Sequence, residues 1–341
     1  MYGVIFTNHP HFIRWTRHQA WSENEFPLRK DFSDNPGRNK LTPADIEYTF
    51  ARIEGSEICE VPVGPVHAGI IEPGHFRFHI AGEEILNLEE RLGYVHKGIE
   101  KLAEGKSINK LIRFASRISG DSTVAHAWAT AKACETAANI DVPKHALFIR
   151  GIMLERERVG NHLGDIAAIC NDVGFAFAYY QLTRLRELWV EMNALIFGHR
   201  FIMDAIVFGG VKNDITHDNI KQMIQQIDEF KKETSELFDM IENNNSLQDR
   251  LKTTGVLKPE IAKKLGVLGY VGRASGLSYD LRRDTNSAPY DQFNIHVPVF
   301  LDGDVASRLK IRAIEILTSF NLLVELMKAF PVGDIITTDE F

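Results

Sequence analysis

The apolar residues of this chain recur at three- and four-residue steps over several long segments, and this periodicity limits the possible fold more than any other feature. One stripe runs from Ile149 to Ile166 and a second from Leu182 to Ile196. A third runs from Ile220 to Phe230 and a fourth occupies Val305 to Phe330. Such spacing places the apolar side chains on one face of an α-helix. The sequence therefore predicts a mainly α fold, built as a bundle of long helices.

Two regions depart from this helical pattern. Residues 76–80 alternate between apolar and polar, as in a half-buried strand, and a hairpin turn at 82–84 leads to a second short strand at 85–89. Residues 251–302 contain many glycines and prolines, which predicts a loop with one short strand at 293–297. We therefore expect small antiparallel β-sheets at the periphery of the bundle.

Composition excludes several classes of function. The net charge of -7 argues against nucleic-acid binding, which needs a basic surface. No uncharged run approaches the roughly 20 residues of a membrane-spanning helix, and the first residues lack the apolar core of a signal peptide. No glycine-rich phosphate loop follows a strand, so we expect no nucleotide on this chain. The cysteines, Cys59, Cys134 and Cys170, are too scattered to form a metal-binding pair.

The segment from Arg117 to His126 is the most distinctive motif, and it reads Arg-x-Ser-Gly-x-Ser-x-x-x-His. It resembles the Arg-x-Cys-Gly-x-Cys-x-x-x-His turn of nickel–iron hydrogenase large subunits, with Ser119 and Ser122 at the two cysteine positions. A serine hydroxyl is hard and neutral at pH 7, whereas nickel in this family is bound by soft thiolates. The resemblance thus implies a degenerate metal site that binds no nickel. The alternative role for these serines is to cap the helix that begins near Thr123.

Other segments resemble motifs of the same family in the same order, from about residue 62 to about residue 330. They are residues 63–78, 91–101, 161–165, 197–200 and 273–276. The first is similar to hydrogenase-4 and formate-hydrogenlyase-type large subunits, and the order without cysteines is that of the quinone-site subunit of respiratory complex I. The resemblance implies a hydrogenase large-subunit-like fold.

The resemblance also assigns candidate catalytic residues. His75, and less directly His67, would hydrogen-bond a quinone headgroup, and Asp172 would pair with that histidine, so that a proton can pass to the reduced quinone. The quinone-site tyrosine of complex I falls on Gly120, which removes one donor. Glu72 would relay protons as a buried carboxylate with a raised pKa, or would lie in a loop facing an arginine. Ordinary loop histidines are the alternative for His67 and His75.

Two further residues are candidates for cofactor binding. His126 alone could hold a metal only weakly. Arg273, together with neighbouring charges, would line the same cavity or stabilise an inter-subunit contact. The charged run at residues 153–158 is expected to be a solvated or inter-helix network. We expect no cofactor on this chain itself, a quinone as the possible ligand, and iron–sulfur clusters and NADH oxidation on partner subunits.

The resemblance implies a domain organisation and a function. Residues 1–60 would be the remnant of a module like the complex I 30-kDa subunit, with a linker, and residues 61–341 the large-subunit-like domain without the family's C-terminal segment. The expected function is to couple electron transfer from a small iron–sulfur subunit to quinone or proton chemistry. The complex would include antiporter-like membrane subunits and lie on the cytoplasmic face of the cell membrane. The alternatives are a non-catalytic scaffold and a fragment of a split hydrogenase.

Overall fold

The computed structural model describes residues 50–67, 71–92, 94–95 and 97–337, which form two compact units divided between residues 104 and 105. The predicted remnant module at residues 1–60 lies almost entirely outside the described residues. No helix in the described ranges is both long enough and apolar enough to cross a membrane.

The first unit contains a three-stranded antiparallel sheet. Its strands are β1 (Ile58–Val63), β2 (His75–Ala81) and β3 (Glu84–Arg91), in the order β1-β2-β3, and a short helix α1 (Ile99–Ala103) follows. Ala81 pairs with Glu84 across the turn, where Gly82 has a φ of 61°. Glycine adopts this left-handed conformation without steric cost. The predicted hairpin is therefore confirmed, and β1 adds a strand at its edge.

The second unit is a bundle of helices, as the periodicity predicts. The helices are α2 (Ile108–Ala115), α3 (Thr123–Ala137), α4 (Lys144–Asp172), α5 (Ala176–Phe197), α6 (His217–Glu242), α7 (Asn245–Leu251), α8 (Pro259–Leu265), α9 (Gly269–Ala274), α10 (Leu281–Asp284) and α11 (Val305–Lys328). Helix α4 lies at the centre and packs against α3, α5 and α11. Trp189 of α5 and Phe320 of α11, both fully buried, pack against each other with ring centroids 5.4 Å apart and ring planes tilted by 50°. The mainly α fold with small antiparallel sheets is confirmed.

Hydrogen bonds from Arg150 connect a two-stranded hairpin to the bundle. The hairpin consists of β4 (Ile206–Val207) and β5 (Gly210–Val211). The guanidinium of Arg150 on α4 donates to both carboxylate oxygens of Glu135 on α3, at 3.0 and 2.6 Å, and to the carbonyl of Val207 at 2.9 Å. Ile335 accepts from the amide of Val211 at 2.8 Å, so the last described residues also join the hairpin.

The prediction for residues 251–302 was partly wrong. The region holds the short helices α8, α9 and α10 and a single 3-10 turn rather than a continuous loop. Residues 293–297 form no strand, although Ile295 is buried between the exposed Asn294 and His296. The alternation arises because an extended segment packs one side against the helical core, and this burial pattern does not require a neighbouring strand.

Candidate functional site

The motif from Arg117 to His126 forms the turn between α2 and α3, and side chains from distant segments hold it in place. Arg117 donates from Nη2 to Asp204 Oδ2 at 2.8 Å. Asn161 on α4 donates from Nδ2 to the carbonyl of Asp121 at 3.0 Å. Asp204 has a φ of 62°, a left-handed conformation that is uncommon for a non-glycine residue. The turn is therefore positioned by residues 40 and 87 positions away in sequence.

The two serines do not act as the helix caps that their position favours. Ser122 occupies the N-cap of α3, but its side chain makes no capping hydrogen bond. Ser119 donates from Oγ to Asp121 Oδ1 at 2.5 Å. The proposed capping role is therefore wrong for Ser122. The physical reason is that a carboxylate from α4 already accepts the free N–H groups at the start of α3.

That carboxylate belongs to Glu157. Its Oε2 accepts from the amide of Val124 at 2.6 Å and its Oε1 from the amide of Ala125 at 3.0 Å. Burial, with a smaller contribution from the charge of Asp121, raises the pKa of Glu157 to about 7, against the lowering effect of the two amides and Arg158. Glu157 therefore changes protonation state near neutral pH.

A small polar cavity adjoins this carboxylate and has a volume of about 10 Å³. Its lining residues are mostly charged or polar and come from the turn, α4, α5 and the segment after α5: Asp121, Arg156, Glu157, Asn161, Arg186, Asn193 and Arg200. Arg156 Nη1 is buried and has no hydrogen-bond partner in the described part of the chain. This volume is near the lower limit for one water molecule.

A second group of buried charges lies on another side of α4. Arg282 on α10 donates to both oxygens of Glu155, at 3.2 and 3.0 Å. Asp280 accepts from the same guanidinium, and Tyr290 donates its hydroxyl to Glu155 at 3.0 Å. The charged run at 153–158 is therefore an inter-helix network, and its acidic and basic residues at 155–157 are buried rather than solvated.

The network continues to Glu315 on α11. His162 Nε2 lies 2.8 Å from Glu315 Oε2, and Arg273 Nη2 lies 2.5 Å from Glu315 Oε1. Burial opposes ionisation, but the hydrogen bond with His162 and the charges of Arg158 and Arg273 lower the pKa of Glu315 to about 2. Arg273 is thus paired within this chain; its predicted roles in cofactor binding and in an inter-subunit contact stay predictions.

The candidate residues of the first unit surround the loop before β2. His67 Nε2 lies 3.3 Å from the carbonyl of Glu72, and the side chain of Glu72 is exposed rather than buried. His75 contacts the carbonyl of Gly64 through Nδ1 at 3.3 Å. Its Nε2 is buried without a hydrogen-bond partner among the described residues. The role of His75 in binding a quinone therefore stays a prediction.

The remaining candidates lie in the second unit. Asp172 is the exposed last residue of α4, and His126 lies half-buried in the first turn of α3. Because His75 and Asp172 belong to different units, their proximity stays a prediction. Sequence reasoning did not single out Glu157. The signal that could have found it is the run of charges at 155–158 inside a long helix whose other residues are largely apolar.

Comparisons with known proteins agree with this architecture. The family described as the respiratory-chain NADH dehydrogenase 49-kDa subunit matches residues 172–341, and the nickel-dependent hydrogenase family matches residues 97–164. The respiratory-chain NADH dehydrogenase 30-kDa subunit family matches residues 1–37. The boundary predicted at residue 60 stays a prediction.

Individual relatives support the same assignment. Formate hydrogenlyase subunit 5 of Escherichia coli (strain K12) is 34% identical over 95% of this chain, which spans 57% of that protein. The carbon monoxide-induced hydrogenase of Rhodospirillum rubrum is 31% identical, over 80% of this chain and 76% of its own length.

A solved structure shares the fold. It is that of the membrane-bound sulfane sulfur reductase, an archaeal respiratory membrane complex, which aligns with a TM-score of 0.78 at 24% identity over 83% of this chain and 76% of the matched chain. Together with the hydrogenase relatives, the ordered motifs and the helical bundle place the chain in the family of nickel–iron hydrogenase large subunits and complex I 49-kDa subunits.

Proposed function

We propose that this chain is the peripheral large subunit of a membrane-anchored redox complex of the hydrogenase-4 and complex I type, and that it serves quinone or proton chemistry without a nickel–iron centre. Electrons would arrive from an iron–sulfur cluster in a small partner subunit. The complex would include antiporter-like membrane subunits on the cytoplasmic face of the membrane. The chain spans 57% of formate hydrogenlyase subunit 5, so this activity is inferred from the described residues and the family.

The observation that carries the proposal is the state of the turn at 117–126. Its supports are in place, since Arg117 binds Asp204 and Asn161 binds the backbone of Asp121. Its cysteine positions hold serines, and the hydroxyl of Ser119 is hydrogen-bonded to Asp121. A serine hydroxyl stays protonated at pH 7 and supplies neither the charge nor the softness of a thiolate. The scaffold is thus better suited to proton transfer than to nickel binding.

The quinone part of the proposal rests on His75. Its buried Nε2 has no hydrogen-bond partner among the described residues, and an imidazole N–H is a suitable donor to a quinone carbonyl. When a quinone is bound, it accepts two electrons and two protons. His75 would orient the carbonyl and supply a proton at Nε2, with Asp172 as its predicted partner. Gly120 at the family's tyrosine position leaves the histidine as the main donor.

The first test is the metal content of the complex, purified from detergent-solubilised membranes by a tag on this chain. We expect co-purified iron from a partner subunit and nickel far below one atom per chain. The double variant Ser119→Cys, Ser122→Cys serves as a control, and we expect it to show the same nickel content. Stoichiometric nickel in the unmodified complex would overturn the proposal. Absence of iron would contradict the proposed supply of electrons from an iron–sulfur subunit.

The second test is quinone reduction by the same complex. His75→Ala should lower the rate by roughly 100-fold, a typical loss for a positioned proton donor. His217→Ala is the matched control, because His217 is an exposed histidine in the first turn of α6 and is not a candidate site residue. We expect a loss of less than about threefold for the control. Equal rates for His75→Ala and the unmodified complex would contradict the role of His75.

A further inference from the structure

We propose that Glu157 and Asp121 form a proton-binding site that exchanges with solvent through the adjoining polar cavity, and that this cavity holds one water bound to Arg156. This proposal rests on the proposed function, which assigns proton chemistry to the turn. It adds that the carboxyl group of Glu157 is the group that binds the proton. It requires no turnover for its test, because binding of a proton can be measured on the chain itself.

The first argument is the set of partners around Glu157. Its carboxylate accepts two backbone amides, those of Val124 and Ala125, and no side-chain cation in the described part of the chain donates a hydrogen bond to it. Arg158, on the same helix, lies 3.5 Å from Glu155 and 3.7 Å from Glu315. A buried carboxylate without a bound cation is costly to ionise, so the protonated form is favoured.

The cations of the cavity are also engaged elsewhere. Arg186 donates from Nε to the carbonyl of Gly160 at 3.1 Å. Arg200 pairs with Glu187 at 2.5 Å. Arg156 donates to Asn193 and, from Nη2, to the carbonyl of Trp189 at 3.0 Å. The remaining charge facing Glu157 from the turn is that of Asp121, which is negative and disfavours a second charge nearby.

The second argument is a route for the proton. Asp121 is exposed, whereas Glu157 is buried, and both line the same cavity. Arg156, which is fully buried, lines it as well, and its Nη1 has no hydrogen-bond partner among the described residues. A water there would accept from Arg156 and donate to a carboxylate oxygen, which satisfies the two partners that an internal water needs. The water and Asp121 together connect Glu157 to solvent.

The third argument is what the proton would do. An ionised carboxylate can accept both amides at the start of α3, one on each oxygen. When Glu157 takes up a proton, the protonated oxygen becomes a donor and a weaker acceptor. One of the two amides, Val124 or Ala125, then loses its charge-assisted hydrogen bond. Protonation would therefore loosen the first turn of α3, next to Ser122. The pKa of Glu157, about 7, makes this change accessible at neutral pH.

The experiment is a carboxyl titration by nuclear magnetic resonance on the full chain, with glutamate labelled at the side-chain carboxyl carbon. We expect one glutamate signal that titrates with a midpoint near pH 7 and disappears in Glu157→Gln. We expect Asp121→Asn to lower that midpoint by at least about half a pH unit. Glu236→Gln, an exposed site on α6, is the matched control and should leave the midpoint unchanged.

Specific outcomes would overturn the inference. A titrating signal that persists in Glu157→Gln, or the absence of any glutamate that titrates between about pH 6 and pH 8, would refute the proton site. If Glu157→Gln fails to fold, the test relies on Asp121→Asn. An unchanged titration midpoint of the glutamate signal in this variant refutes a site shared by Glu157 and Asp121. None of these results depends on nickel, iron or quinone, so they are distinguishable from failure of the proposed function.

Discussion

Two glutamates on the same helix, Glu155 and Glu157, are both buried, and yet their pKa values are shifted in opposite directions from the ordinary value. Glu155 is 0% exposed and Glu157 is 9% exposed. Burial raises the pKa of both, but Arg282 and Arg158, with Ser319 and Tyr290, bring the pKa of Glu155 below its usual value. Among the described residues, Glu157 has two backbone amides as its hydrogen-bond donors and a neighbouring Asp121, so that with burial its pKa rises to about 7.

The comparison shows that burial alone does not decide the state of a carboxyl group. Glu155 is ionised because a guanidinium donates to both of its oxygens. Glu157 lies two positions later and faces a helix N-terminus, whose amides stabilise a charge less than a bound cation does. One group therefore supports the fold and the other is available to exchange protons.

The largest effect should come from breaking the Glu155 ion pair. Glu155→Gln leaves Arg282 buried with only Asp280 to balance its charge, and should lower the free energy of unfolding by about 3 kcal/mol or more. Urea denaturation at pH 7 measures this, with Glu236→Gln as the exposed control. A loss below about 1 kcal/mol would show that the ion pair does not distinguish Glu155 from Glu157.

The second effect is the pH dependence of stability contributed by Glu157. Its folded-state pKa of about 7 lies above the ordinary value of 4.5. A raised pKa adds stability that is fully present below the unfolded pKa and is lost as pH rises through the folded pKa. The free energy of unfolding of the unmodified chain, relative to Glu157→Gln, should fall by about 3 kcal/mol between pH 4.5 and pH 8. A constant difference across this range would contradict the assignment.

A smaller loss of stability is expected when the ion pair between Asp204 and Arg117, which holds the turn, is broken. Asp204→Asn removes the negative charge that pairs with Arg117, and both side chains are about one-third exposed. Solvent screening limits the loss to about 1 kcal/mol. Hydrogen exchange should show faster exchange at the amide of Ser122 and little change in α6. Unaltered exchange at the turn would mean that the charge of Asp204 is not needed to hold it.

The smallest effect is predicted for Ser122. Its side chain caps nothing, so Ser122→Ala should change the free energy of unfolding by less than about 0.5 kcal/mol. Thr216 is the matched comparison, because its hydroxyl accepts from the amide of Asn219 at 3.1 Å in a capping box. Thr216→Ala should cost about 1 kcal/mol. Equal losses at the two positions would contradict the view that Glu157 has replaced the serine as the cap.

The helical bundle was predictable because its stripes are long and regular, and the turn was predictable because its arginine, glycine and histidine keep family spacing. The roles of Glu155 and Glu157 were not. Helix α4 is buried on nearly all sides, so periodicity cannot tell which partner faces which residue. Arg282 lies 127 residues after Glu155, and Val124 lies 33 residues before Glu157. Such pairings arise only when the distant segments have packed.

Side chains of α4 form hydrogen bonds with helix α3 near both of its ends. Glu157 binds its first amides, and Arg150 binds Glu135 near its last turn together with the β4–β5 hairpin. Val124 and Glu135 lie about 11 residues apart in this helix, so the two contacts are roughly 17 Å apart along a stiff axis. Because the helix is stiff, a displacement of the turn along the helix axis would also displace the hairpin and Ile335, whose carbonyl accepts from the hairpin. Helix α3 alone would be sufficient to transmit such a displacement from the turn to the hairpin.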